Sequence, residues 1–252
     1  MSDIYLFDVD GTLTDAKCKI ENSFADEFEA WMDNKEVYIV SGGSFERIID
    51  QLGMNIMSKV EGVFACMGNI FYSKIEHINP PKYEEWEIVY ENKFKAPRGL
   101  YKDLIKLVDE SEFYNKTGRH YEERVGMVNF SIVGRNADIA ARNQYTSYDA
   151  EFSERARIVE TLKEKYPKLD FVVGGAVSID IFNKGSDKSQ IVKKYFKEAI
   201  KTNKTIFVGD RVEFPGNDYA LANALEKYKN GEVFKVNSWR DTQKLLKTKA
   251  FA

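Results

Sequence analysis

Two carboxylates stand two residues apart in Asp8-Val-Asp10, followed at once by Gly11-Thr12. On an extended chain that spacing places both acids on one face. Ser41-Gly-Gly-Ser44 adds hydroxyls and free backbone N–H groups, which form an anion site where a helix begins. Lys188, at the end of Lys184-Gly-Ser-Asp-Lys188, offers a cation at the opening of a further helix, and Asp210 begins a glycine-bounded loop that runs to Asn217 and Asp218. Asp8, Asp10 and Asp210, with Asn217 or Asp218 in support, would repel one another unless a cation sat among them. Oxygen ligands without His or Cys suit magnesium. Such an ion would bridge carboxylates and a substrate phosphate, lowering the repulsion between an anionic nucleophile and an anionic electrophile. The chemistry these residues point to is phosphoryl transfer, although polar capping loops would also account for single members of the set.

The elements around these residues are of the kind that could bring them together. Residues 3–8 are a short apolar run, suited to a strand buried on both faces of a parallel sheet. A helix follows over 23–32, a strand over 37–40, a helix over 45–52 and a strand over 63–66. From about Pro80-Pro81 the pattern changes to a helix over 100–111, strands over 119–124 and 127–133, a helix over 153–166, and strands over 171–173 and 177–182. Helix 188–200 and strand 205–208 then resume the alternation. The expectation is an α/β fold with a Rossmann-like parallel sheet, formed by residues 1–81 and 185–252, into which an α+β cap of residues 82–184 is inserted. In such sheets the site lies beyond the carboxyl ends of the strands, where Asp8, Ser41 and Asp210 all fall.

Composition excludes several alternatives. In 252 residues there are two cysteines and two histidines, without metal-ligand spacing, so zinc chemistry and a Cys-His dyad are not expected. The net charge of −3 is spread over interleaved acids and bases, which gives no basic face for nucleic acid. No apolar run approaches the roughly 20 residues of a membrane helix, and the N-terminus lacks a signal-peptide pattern, so a cytoplasmic protein is expected, not a membrane one.

The order Asp8-Val-Asp10-Gly-Thr, Ser41-Gly-Gly-Ser44, Lys188 and Gly209-Asp210 resembles the haloacid dehalogenase superfamily of phosphotransferases. Within it, the insertion resembles the cap of eukaryotic-type phosphomannomutases. The stretch from Arg124 through Asn129 to Gly134-Arg135, followed by Arg142, is similar to their arginine-bearing segment. Gly174-Gly-Ala-Val-Ser178-Ile-Asp180 is similar to their substrate-contacting one. The resemblance implies Asp8 as nucleophile, Asp10 as acid/base, Lys188 steadying charge, Ser41 or Ser44 with Gly42 on the phosphate, and magnesium at Asp210. It also implies a homodimer formed through the caps. In a sugar bisphosphate one phosphate would sit at Asp8 and the other on Arg124, Arg135 and Arg142, whose planar donors suit a phosphate that stays in place. Ser178, Asp180 and Asn129 would hold the sugar.

The expected reaction interconverts hexose 1-phosphate and 6-phosphate, with mannose or glucose as the sugar and a hexose 1,6-bisphosphate as activator. A magnesium-dependent sugar-phosphate phosphatase and a non-catalytic sugar-phosphate-binding protein remain as alternatives. Two departures from the family pattern stand out. Lys17 occupies the place of an arginine that helps bind substrate, and Ser186 that of the tryptophan before the Asp-Lys pair. Lys17 supplies charge without a bidentate fork.

Overall fold

A computed structural model describes residues 2–75 and 86–251. The first strand, β1 (Ile4–Phe7), is buried at every position. It lies between β2 (Glu36–Val40) and β10 (Thr205–Gly209), parallel to both, with Leu6 opposite Tyr38 on one side and Phe207 on the other. The apolar run has no polar alternation because both faces are covered. Tyr5 and Phe7 pack with Phe24 and Phe28 of α1 (Asn22–Trp31), Ile48 and Leu52 of α2 (Phe45–Lys59), and Trp239 and Leu246 of α8 (Trp239–Leu246). Ile4 and Leu6 face Ile191 and Val192 of α6 (Gln190–Lys194) and Leu221 and Leu225 of α7 (Tyr219–Leu225). Each such side chain contributes about 1.5–3 kcal/mol by burial.

The sheet has seven strands in the order β11-β10-β1-β2-β3-β4-β5. β3 (Gly62–Ala65) and β11 (Gly231–Lys235) continue the parallel part, while β4 (Ile70–Lys74) and β5 (Trp86–Glu91) add an antiparallel edge. The chain leaves β1 towards β2 and later returns to β10 on the other side of β1. The carboxyl end of β1 is therefore the switch point, where a crevice opens.

A second sheet, β6-β7-β9-β8, is antiparallel throughout and comprises β6 (Tyr121–Arg124), β7 (Met127–Phe130), β8 (Leu169–Gly174) and β9 (Ser178–Asn183). Its own core joins Val128, Phe130 and Ile181 to Leu104 of α3 (Leu100–Glu110), Tyr145 of α4 (Ile139–Phe152) and Leu162 of α5 (Glu154–Lys165). Pro80-Pro81 and the expected boundary at 81/82 lie outside the described residues. Residues 86–91, assigned above to the insertion, instead pair with β4 in the large sheet.

Other differences have local causes. The helix expected over 188–200 stops at Lys194 because Phe196 turns in to pack edge-on against Tyr38, with ring centroids 5.0 Å apart. α2 runs on to Lys59, interrupted only at Gly53 with φ 78°. α4 went unread because its buried residues, Ala141 and Tyr145, sit in an otherwise polar stretch. No helix of the described residues is long and apolar enough to cross a membrane.

Candidate active site

β1 and β10 deliver Asp8 and Asp210 to the crevice side by side. The backbone N–H of Asp8 donates to the Val208 carbonyl at 3.0 Å, which continues the ladder up to the first acid. Carboxylate oxygens of Asp8, Asp210 and Asp218 lie within 4.8 Å of one another. Gly11 is the reason the loop can pass so close. It has φ +89°, and a Cβ there would stand 2.6 Å from Asp210 Oδ2.

Lys188, fully buried, donates to Asp8 Oδ1 and to Asp218 Oδ1, each at 2.6 Å. Burial alone would discharge its amine, but the charges of Asp218 and Asp8 hold it protonated and raise its pKa. Burial, then the charge of Asp218, pushes Asp8 well above the usual carboxylate range and Asp210 up to about 7. One lysine among three crowded acids leaves negative charge uncompensated. This all-oxygen donor set of Asp8, Asp210 and Asp218 has the chemistry to hold a hard divalent cation such as magnesium.

Asp218 and Asn217 were both expected at the metal, as ligands or in support of it. Asp218 joins Asp8 and Asp210 in the acidic cluster and is also a fully buried partner of Lys188, while Asn217 lines the open cleft. Asp10, expected to share the metal, stands apart from this cluster. Its carboxylate accepts from Arg47 Nη2 at 2.8 Å, Gln51 Nε2 at 2.9 Å and the Lys17 N–H at 2.7 Å. The strand ends at Phe7 and the chain is already leaving it at Asp10, just before the turn at Gly11, so the two acids take different surroundings.

The cleft above these acids holds about 250 Å³. From the core it is lined by Lys17, Ser41, Gly42, Arg47 and Asn217, and from the other side by Arg124, Asn129, Ser178 and Asp180 of the second sheet, Arg135 of the loop after β7 and Arg142 of α4. Ser41 Oγ accepts the Gly43 N–H at 3.0 Å, an ordered hydroxyl at the start of α2. Ser44 does not reach the cleft. It opens α2 beside a separate groove with Phe45 and Glu123.

The far wall is built on β6, β7 and β9. Glu122 accepts from Arg124 Nε at 2.9 Å on one oxygen and from Arg135 Nη2 at 2.6 Å on the other, so one carboxylate aims two guanidinium groups. Burial works against its charge, but the two arginines lower it to about 2. Arg124 also donates through Nη1 to the Gly42 carbonyl at 2.6 Å, joining the cap to the core. Asn129 Nδ2 donates to Asp180 Oδ1 at 2.6 Å across the β7–β9 pair, and Asn129 Oδ1 is buried without a partner. Arg142 Nη1 is likewise buried without a hydrogen-bond partner. An unpaired buried donor on a cation is costly, and an anion entering the cleft would satisfy it.

Arg47, Gln51 and Glu122 were not singled out from the sequence. Arg47 and Gln51 stand four residues apart on the helix after Ser41-Gly-Gly, and Glu122 stands two residues before Arg124 on one strand face. Those spacings were the available signals.

Comparison with known proteins fits this geometry. A phosphomannomutase of Saccharomyces cerevisiae is 30% identical over 220 residues, covering 86% of this chain and 84% of that protein. Phosphomannomutase 2 of Dictyostelium discoideum is 32% identical over 225 residues, covering 87% and 86%. Among solved structures, a trehalose-6-phosphate phosphatase related protein superposes with a TM-score of 0.54 at 18% identity, over 97% of this chain and 96% of that one. A Plasmodium falciparum IMP-nucleotidase superposes at 0.62 and 14% identity, over 98% and 67%. These two share the haloacid dehalogenase fold. The family profile described as eukaryotic phosphomannomutase matches residues 24–251, every described strand of both sheets except β1, and the chain belongs to that family.

Proposed function

We propose that the chain interconverts hexose 1-phosphate and hexose 6-phosphate, with mannose or glucose as the sugar, through a phosphorylated Asp8 primed by a hexose 1,6-bisphosphate. The observation that carries this reading is the two-ended cleft: acids with Lys188 at its floor, and arginines at the opposite wall with Arg142 Nη1 awaiting a partner. Asp8 attacks phosphorus, while Asp10 takes the proton of the accepting hydroxyl and returns it to the leaving oxygen, a role worth about 10²–10⁴ in rate. Lys188 holds Asp8 in place and stabilises the charge of the transferring group. Magnesium at Asp8, Asp210 and Asp218 would supply further neutralisation of that group. Arg124, Arg135 and Arg142 keep the second phosphate, with Ser178, Asp180 and Asn129 on sugar hydroxyls. Residues 92–183 form the cap whose closure excludes water.

A homodimer paired through the caps and a cytoplasmic location belong to the same reading, and exposed Tyr114 and Ile139 on the cap are consistent with the pairing. The test is a product assay with mannose 1-phosphate, magnesium and a bisphosphate activator. The expected product is the 6-phosphate without net inorganic phosphate, abolished in Asp8→Asn. Phosphate release matching substrate loss would replace this reading with a phosphatase.

A further inference from the structure

Asp10 is gripped at both carboxylate oxygens from two separate segments. The Lys17 N–H and Gln51 Nε2 donate to Oδ1 at 2.7 and 2.9 Å, and Arg47 Nη2 donates to Oδ2 at 2.8 Å. Arg47 and Gln51 lie one turn apart on α2, so a single helix face presents both. A Gln51 N–H is shared between Thr14 Oγ1 at 3.1 Å and the Cys18 carbonyl at 3.2 Å, which fixes that face against the loop after β1. Lys17 itself adopts φ 63°, the left-handed conformation that turns its N–H onto Asp10.

A carboxylate has about four acceptor sites, two on each oxygen. Oδ1 has both occupied. Oδ2 has one left, on the atom that Arg47 already holds.

We propose that Arg47 is a positioning residue for proton transfer, which makes Oδ2 of Asp10 the atom that exchanges the proton. This rests on the reading of Asp10 as acid/base given above. As the substrate hydroxyl oxygen bonds to phosphorus and the Asp8–phosphorus bond breaks, the hydroxyl proton passes to Oδ2 and Asp8 regains its carboxylate. In the reverse direction Oδ2 gives that proton to the sugar oxygen leaving phosphorus, and Asp8 takes the phosphoryl group. The charge-assisted bond from Arg47 fixes the direction of Oδ2 and leaves its remaining acceptor site open to the substrate oxygen. Lys17 and Gln51 hold the other oxygen out of the reaction.

The test is single-turnover phosphorylation of Asp8 by two donors. A hexose 1,6-bisphosphate has an alkoxide leaving group that needs a proton, whereas 4-nitrophenyl phosphate has one that does not. Arg47→Ala is expected to slow the first about 10–100-fold, less than the full contribution of about 10²–10⁴ from acid/base catalysis because Asp10 itself remains, and the second less than about 3-fold. Arg47→Lys, which keeps the charge without the fork, should recover part of the loss. Equal losses on both donors, no loss on either, or a lysine variant no better than alanine would overturn the assignment. Release of inorganic phosphate by the wild type in place of sugar interconversion would overturn the mutase reading alone, and the comparison of leaving groups would still decide the role of Arg47.

Discussion

Lys188 Nζ lies 2.6 Å from Asp218 Oδ1, with both side chains fully buried, and the same amine reaches Asp8 at 2.6 Å. Lys188 therefore has a structural role beside the catalytic one proposed for it. Lys188→Met would leave Asp8 and Asp218 buried without their cation, a change that typically costs about 3–5 kcal/mol. Urea denaturation without metal should show a loss of that order, and added magnesium should recover part of it by binding the folded state. A loss below about 1 kcal/mol would mean that the acids are already compensated by something else.

Glu122 couples two of the cap arginines to each other. Its folded pKa, lowered to about 2 by Arg124 and Arg135 against the effect of burial, lies below the ordinary glutamate value of about 4.3. A depressed carboxylate contributes stability that is present above the unfolded pKa and lost as pH falls through the folded one. Glu122→Gln should therefore be less stable than wild type near neutral pH, and the gap should close between about pH 4 and pH 2. Hexose-phosphate KM should rise in the variant, because neither guanidinium would keep its aim. Melting curves across that range, with KM at neutral pH, check both parts; a gap that stays constant with pH would show that the charge of Glu122 is not what matters.

Arg142 presents the opposite balance. Its Nη1 is buried without a partner, so the folded protein gains little from it, whereas a bound phosphate would gain a charge-assisted bond. Arg142→Met should leave the melting temperature unchanged or raise it, while weakening hexose-phosphate binding about 10–100-fold, the equivalent of about 1.5–3 kcal/mol. Hydrolysis of a small aryl phosphate should change little. A variant that loses stability and both activities together would place Arg142 in the scaffold.

What could be read in advance follows from where each residue gets its meaning. Asp8 and Asp210 were legible because each ends a strand buried on both faces, and a polar residue at the end of such a run has few places to go. The cap arginines were legible only through family resemblance; as isolated charges they looked solvated. Asp218 was placed near the metal, but its burial against Lys188 went unread because that partner is 30 positions away. Arg47 and Glu122 went unread for a similar reason. Their roles arise where α2 meets the loop after β1, and where β6 meets the Arg135 loop, and neither meeting leaves a mark in local periodicity. β5 was missed because most of it is exposed, with only Trp86 buried, so its apolar content is thin.

Lys17 stands where the family pattern has an arginine, and its surroundings make that difference measurable. The side chain is exposed along part of its length. Even so, desolvation of the ammonium and then the charges of Arg135, Arg142, Arg47 and Arg124 lower its pKa to about 7. A phosphate bound beside it would favour the charged form and raise that value again. Binding then takes up a proton, so affinity should fall as pH rises above about 7, where free Lys17 is neutral. Lys17→Arg keeps its charge throughout, since a guanidinium does not titrate in this range. Comparing the two proteins with the same hexose phosphate cancels the substrate's own ionisation. The ratio of wild-type to Lys17→Arg KM should rise between about pH 7 and pH 9, and a ratio flat over that span would mean that Lys17 does not touch the bound phosphate.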